Sequence, residues 1–154
     1  MTGFPQNFFH GINASLFSLL NDWPLAIVGL DRDGKIFLWN QAAQKILGWS
    51  SEETLGEPAT AILGRANFPM YRHFKRVING QALSRKEHRQ KTKSGKVVDI
   101  SWSATPLRAT SCKPEGVLII IEDITSRKQL KQALIESERF ARFSGDRYGR
   151  STYR

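Results

Sequence analysis

The sequence predicts an α+β domain built on an antiparallel sheet, and three observations carry that prediction. Strand-forming runs gather at the two ends of the first 125 residues with the helical patterns between them, which is not the strict strand-helix alternation of a parallel sheet. The first two runs, LAIVGLD (25–31) and KIFLW (35–39), are separated by a turn containing a glycine, a connection that joins antiparallel neighbours. At 154 residues and 40% hydrophobic content the chain supports one core, and a domain of this size buries ~68–70% of its unfolded surface.

Composition narrows the setting. The longest apolar runs, such as VLIII at 117–121, fall far short of the ~18 residues that cross a bilayer, and no basic region with a small-residue cleavage site opens the chain. A cytoplasmic location is expected, without membrane contact. The single cysteine, Cys112, has neither a disulfide partner nor neighbours at metal-ligand spacing, so no metal site is expected.

Residues 8–20, FFHGINASLFSLL, place Phe8, Ile12, Leu16 and Leu19 or Leu20 at helical spacing, and Pro24 stops the pattern. Segment 1–23 is therefore an N-terminal amphipathic helix. In the hairpin that follows, Asp31 and Gly34 supply turn chemistry; Asp31 and Asp33 lack the further oxygen ligands a calcium loop needs. Asn40 is placed to cap QAAQKIL, with Gly48 as its left-handed stop. Ser50 and Glu53 form a capping box for a second short helix, stopped by Gly56 and Pro58. Each segment is a cap, one or two turns and a stop, which lets the backbone curl across a sheet.

NFPMYRHFKRVING (67–80) sets Phe68, Tyr71, Phe74, Val77 and Ile78 opposite Arg72, Lys75 and Arg76, a longer amphipathic helix closed by Gly80. Three strands follow. QALSRKEHRQKTK is polar and turns at Ser94-Gly95; KVVDISWSATPL alternates Val98, Ile100, Trp102 and Ala104 with polar residues; EGVLIIIEDI is the most apolar and hence central. SRKQLKQALIESERF (126–140) places Leu130 and Leu134 near a heptad seam, giving a helix assigned to 126–141, and 142–154 has the composition of a disordered tail.

The hairpin with Asp31 and Gly34, the WNQAA helix start, the GWSSEETLG pair, the KSGK hairpin and the EDITSRK junction occur together and in order, and the set resembles a PAS sensory domain from about Ser15 to Lys128. The resemblance implies a core over 24–125 with a five-stranded antiparallel sheet, its concave face crossed by the short helices and the longer one around a cavity. It further implies a homodimer through the N-terminal helix, and signal output through the C-terminal helix to an effector such as a histidine kinase. The segment ESERFARF is similar to the opening of a further PAS repeat, so a longer polypeptide is expected.

No nucleophile-base pair or carboxylate pair converges, so catalysis in this chain is not expected. The ligand-cavity candidates are His88, Gln90, Ile100, Trp102, Ala104, Ile119, Ile121 and Phe74, and the signal-junction candidates are Asp123 and Thr125. Whether His88 and Gln90 point inward depends on the register of the polar strand, since a slip of one residue exchanges its faces, and a solvent-facing edge strand is the alternative. Heme-binding relatives use a histidine on the long helix; His73 is the one here and stands about a turn too close to Gly80 for that pattern. GRANF replaces the G-R-N-C-R-F motif of covalent flavin photochemistry, with Asn67 at the thiol position. Noncovalent FAD stacking on Trp102 and heme are the cofactors left open, neither with a full motif.

The net charge of +9 is uneven: nine basic residues and one acid lie between Arg72 and Lys96. A solvated sheet edge accounts for that cluster better than nucleic-acid binding. A ligand-free dimerisation or docking module is the other functional class to weigh.

Overall fold

The turn between the first two strands closes as its residue types require. Asp31 Oδ1 accepts hydrogen bonds from the backbone N–H groups of Asp33 and Lys35, both at 2.9 Å. Gly34 supplies the left-handed φ of 79° at the tip, a conformation that costs a side chain little only where there is none. Strand β1 (Ala26–Asp31) and strand β2 (Ile36–Trp39) thereby pair antiparallel.

This computed structural model describes residues 14–64, 70–108 and 112–148. The chain divides into two units, residues 1–123 and residues 124–154. In the first unit, helix α1 (Ala14–Asp22) precedes the hairpin, and the part of the expected N-terminal helix before Ala14 lies outside the described residues. After β2 come α2 (Gln41–Leu47), α3 (Ser51–Thr54), α4 (Ala59–Leu63) and α5 (Met70–Ile78). Strands β3 (Leu83–Lys91), β4 (Val97–Leu107) and β5 (Gly116–Asp123) complete a five-stranded sheet in the order β2-β1-β5-β4-β3, all neighbours antiparallel. The most apolar strand is central, as expected.

Register decides which face is dry. Val28 lies opposite Ile119, Ala26 opposite Ile121, and Ile121 in turn opposite Trp102. These side chains share one face with Leu30, Ile100 and Ala104, and the short helices add Ala43, Leu47 and Leu63 over them. Full burial of each large aliphatic member is worth ~1.5–3 kcal/mol. On the other face a smaller cluster of Ile27, Phe37 and Leu38 gathers Leu20 of α1 and Leu118.

The caps form as their residues dictate. Asn40 Oδ1 accepts from the Ala43 N–H at 3.0 Å, and Gly48, with φ 83°, ends α2 through a bond from its N–H to the Gln44 carbonyl at 2.8 Å. Ser50 and Glu53 close a reciprocal capping box on α3. Gly56 then donates to the Ile36 carbonyl at 2.7 Å, tying the chain beyond α3 to the outer edge of β2.

Three features depart from the sequence expectation. Pro58 does more than stop α3: it occupies the N-cap of α4, where its missing N–H is no loss, and no side-chain cap announces that helix. A bulge separates Leu83 from Lys86 in β3, with Arg85 held at φ 44° and its N–H donating to Ser103 Oγ at 3.1 Å. Such a non-glycine conformation costs on the order of 1 kcal/mol. In the second unit, helix α6 (Thr125–Tyr148) runs past residue 141, so 142–148 are helical and not the tail that their composition suggests. Only the two arginines of RFSGDRY are strong helix formers, so propagation from the helix already nucleated upstream carries the stretch. Residues 149–154 lie outside the described part.

Asp caps helices as well as Asn does, so Asn40→Asp separates capping from the residue's other bonds. The variant is expected to lose ~2–4 kcal/mol in urea unfolding at neutral pH, because a carboxylate cannot donate to the Leu20 and Leu25 carbonyls that Nδ2 now serves. A loss below ~0.5 kcal/mol would leave Asn40 with a capping role alone.

Candidate functional site

The polar strand β3 settles into one register. Lys86 pairs with Trp102, His88 with Ile100 and Gln90 with Val98. Gln90 and the half-buried His88 therefore share the dry face, while Ser84, Arg85, Lys86, Glu87 and Arg89 are exposed. The strand is also an edge strand, and apart from Gln90, His88 and the half-buried Leu83 its residues are exposed.

Gln90 is only 2% exposed. Its Nε2 donates to the carbonyls of Leu63 at 3.2 Å and Lys91 at 3.0 Å, while Oε1 is buried with no hydrogen-bond partner among the described residues. His73 on α5 packs its ring against Trp102, centroids 6.0 Å apart and tilted by 50°, and its Nδ1 is likewise buried without a partner among the described residues. Desolvation, followed by the charges of Arg76, Lys86 and Arg72, holds the His73 pKa below the ordinary imidazole value. Desolvation does the same for His88.

The other cavity candidates form core. Ile100, Trp102, Ala104, Ile119 and Ile121 are all buried in one cluster, and Phe74 packs partly buried against it. A cavity of about 320 Å³ lies between the β1–β2 turn, α4 and α5, and a smaller one of about 210 Å³ lies between β3 and β4, with Ala104 in its lining. Leu30, Pro58, Ala59, Phe74 and Ile78 make the apolar wall of the larger cavity; Arg32, Asp33, Thr60 and Lys75 make its polar part. Of the eight residues chosen from sequence, Phe74 alone lines it. The signal for the rest was present but ambiguous: Arg32 to Gly34 read as turn chemistry, and α4 had no cap to mark it.

The residues present do not fit heme or flavin in this cavity. His73, His88 and Trp102 are absent from its described lining, and the His73 ring faces Trp102. Asn67 of the altered flavin motif lies outside the described residues. Among the described residues no group of three or more His, Cys, Asp or Glu side chains is placed to hold a metal, and Cys112 is exposed. No described helix is long and apolar enough to cross a membrane.

A second set of contacts escaped the sequence reading. Lys93, in the turn after β3, pairs with Glu53 of α3 and sets its ammonium 5.1 Å from the Trp49 ring centre, while its N–H donates to the Leu47 carbonyl at 3.0 Å. The Lys93 hydrogen bond and then the Ser50 amide hold the Glu53 carboxyl below its usual pKa. Forty residues separate the ion pair, and nothing local to either partner signals it. At the junction candidates, Asp123 is the last residue of β5 and Thr125 the first of α6. Leu130, Leu134 and Phe140 of α6 stand exposed.

An antiparallel sheet with three short helices and a longer one over one face, and a cavity beneath them, defines the class. The chain matches the family model described as the PAS fold over residues 20–129, and it belongs to that family. It is 31% identical over 111 residues to the probable diguanylate cyclase DgcE of Escherichia coli (strain K12), covering 70% of this chain and 10% of that protein. It is 25% identical over 118 residues to the signal transduction histidine-protein kinase AtoS of the same organism, covering 75% of this chain and 19% of that one. The chain thus spans a fifth or less of these curated relatives. A solved PAS domain from Colwellia psychrerythraea superposes with a TM-score of 0.59 at 24% identity, covering 71% of this chain and 93% of that one.

The two histidines give a pH signature. Their folded pKa values are lowered, so on acidification the unfolded chain takes up protons first and stability falls as pH drops through about 6.5. Stability measured by urea at pH 7 and pH 5 is expected to fall less in His73→Gln/His88→Gln than in the parent; an equal fall in both would assign the loss to other groups.

Proposed function

We propose that this domain is the sensory module of a longer signalling protein and that its input is a small ligand held in the cavity between the β1–β2 turn, α4 and α5. The observation that carries this reading is the cavity itself, closed on its apolar side by Phe74, Ile78 and Pro58 and carrying Lys75 and Arg32 at its polar side. A volume of about 320 Å³ sits at the small end of ligand sites. Two cations and a threonine hydroxyl against one carboxylate favour a compact ligand with an apolar body and an acidic group.

Output would leave by the C-terminal helix. Occupancy shifts α4 and α5 against the sheet, the change reaches the end of β5 at Asp123, and Thr125 passes it into α6 as a change in the geometry of a protomer pair. The kinase and cyclase named among the relatives support an effector of that kind as the downstream partner, with catalysis outside this chain. A homodimer through α1 fits the exposed Leu16, Leu19 and Trp23.

Those exposed residues also favour a second reading, a ligand-free docking module. Mass spectrometry under native conditions and visible absorbance of the purified chain separate the two: a bound small molecule supports the sensor, whereas a bare mass with concentration-dependent dimerisation supports docking. Once a ligand is identified, Phe74→Trp should weaken its binding at least about tenfold, ~1.4 kcal/mol, with the thermal midpoint little changed. Undiminished binding would place the ligand elsewhere. Asp123→Ala is expected to uncouple effector output in the full-length protein at unaltered ligand affinity; loss of the fold would defeat that assignment.

A further inference from the structure

The two edges of the sheet are finished differently. At β2 the backbone bonds are taken: Ile36 N–H donates to the Glu57 carbonyl at 2.9 Å, Gly56 N–H donates to the Ile36 carbonyl at 2.7 Å, and Lys35 bridges Pro58. At the opposite side β3 is the last strand, nine residues long, and no described element pairs with its outer edge. An edge of that kind presents a row of backbone donors and acceptors that can template another strand.

The charges on this edge select what it can accept. Arg85, Lys86, Arg89 and Lys91 are exposed along it against the single acid Glu87. Only Arg89 has an acidic neighbour, Asp99 at 3.5 Å; Arg85, Lys86 and Lys91 have no acidic partner among the described residues. Arg72 and Arg76 of α5 act on the same imidazole as Lys86, so the helix extends the positive field to the strand's inner rim. A second copy of β3 would set these cations against themselves, which like-charge repulsion disfavours. For a nucleic acid the edge lacks stacking platforms: its one ring, His88, is half-buried on the core side.

We propose that β3 is a docking edge for an extended acidic peptide segment of a partner protein, which adds to the sheet as a sixth strand. Main-chain bonds along the free edge supply the pairing, and Arg85, Lys86 and Lys91 select for Asp or Glu in the added strand. The added strand would lie beside β3 and no residue of β3 lines the larger cavity, so this interaction is separate from occupancy of that cavity.

The test uses the full chain and a capped, fluorescein-labelled peptide repeating Glu-Glu-Thr-Thr, which sets carboxylates on both faces of the added strand because Lys86 and Lys91 lie on opposite faces of β3. Anisotropy should show saturable binding that weakens about tenfold in Lys86→Glu/Lys91→Glu, and amide hydrogen exchange should slow along β3 when the peptide is bound. The same peptide with alternate backbone nitrogens methylated keeps every charge and loses half its donors, so its binding should fall by a similar factor in the unaltered protein, a comparison that needs no variant to fold. Absence of binding, indifference to methylation, or oligouridine binding as tight as the peptide with no slowing in β3 would each overturn the proposal.

Discussion

The side-chain amide of Asn40 is the point on which the first half of the fold turns. It is 1% exposed and uses all its hydrogen-bonding capacity: Oδ1 accepts from Ile27 and Ala43, and Nδ2 donates to Leu20 and Leu25. Those four partners belong to the end of α1, the chain running into β1, β1 itself and the first turn of α2. One residue thus fixes where the approach helix stops, how the first strand begins and at what angle the chain leaves β2. Each bond contributes only ~0.5–1.5 kcal/mol net, but a buried carbonyl or amide left without its partner costs ~1–3 kcal/mol. The arrangement is therefore cooperative: a partial substitute leaves buried or half-buried backbone groups without partners.

From that corner the helices are led across the sheet under local rules. Gly48 gives α2 its left-handed exit, the Ser50–Glu53 box starts α3, and Lys93 reaches across to hold both by its amide and its ammonium. These local rules explain what was legible. Caps, turn residues and alternation are encoded within a few positions, so the hairpin, α2, α3, the polar strand and the central apolar strand could all be read. What was not legible has a physical reason in each case. Helix α4 begins at a proline whose side chain makes no bond; the β3 bulge rests on Arg85 bonding to a serine eighteen residues away; and the Glu53–Lys93 pair exists only because the sheet brings its ends together.

The site was read with less success for a related reason. Alternation in β4 and β5 identifies the dry face of the sheet, and the family resemblance turns that face into a cavity wall. Packing decides otherwise for most of it: Ile100, Trp102, Ile119 and Ile121 are fully covered, and a close-packed interior leaves few voids. Space survives where the short helices stop short of the turn, a matter of loop length and helix placement that no single residue announces. Phe74 was identifiable because it belongs both to the apolar face of α5 and to the rim of that space.

The cavity's position follows from how unequally its walls are held. On the α2–α3 side the chain has a reciprocal capping box, an ion pair and a cation over a ring. On the α4 side a five-residue helix starts without a side-chain cap and ends at Gly64. A helix without a side-chain cap opens at lower cost than one held by a capping box and an ion pair, so α4 is the wall of the cavity expected to yield before α3. Gln90 stands at that wall: its Nε2 holds the Leu63 carbonyl at the end of α4, and its Oε1 has no partner among the described residues. A shift of α4 would break the bond to Leu63 and leave Nε2 on the Lys91 carbonyl alone, so the edge strand would be the first part of the sheet to register what the helix does.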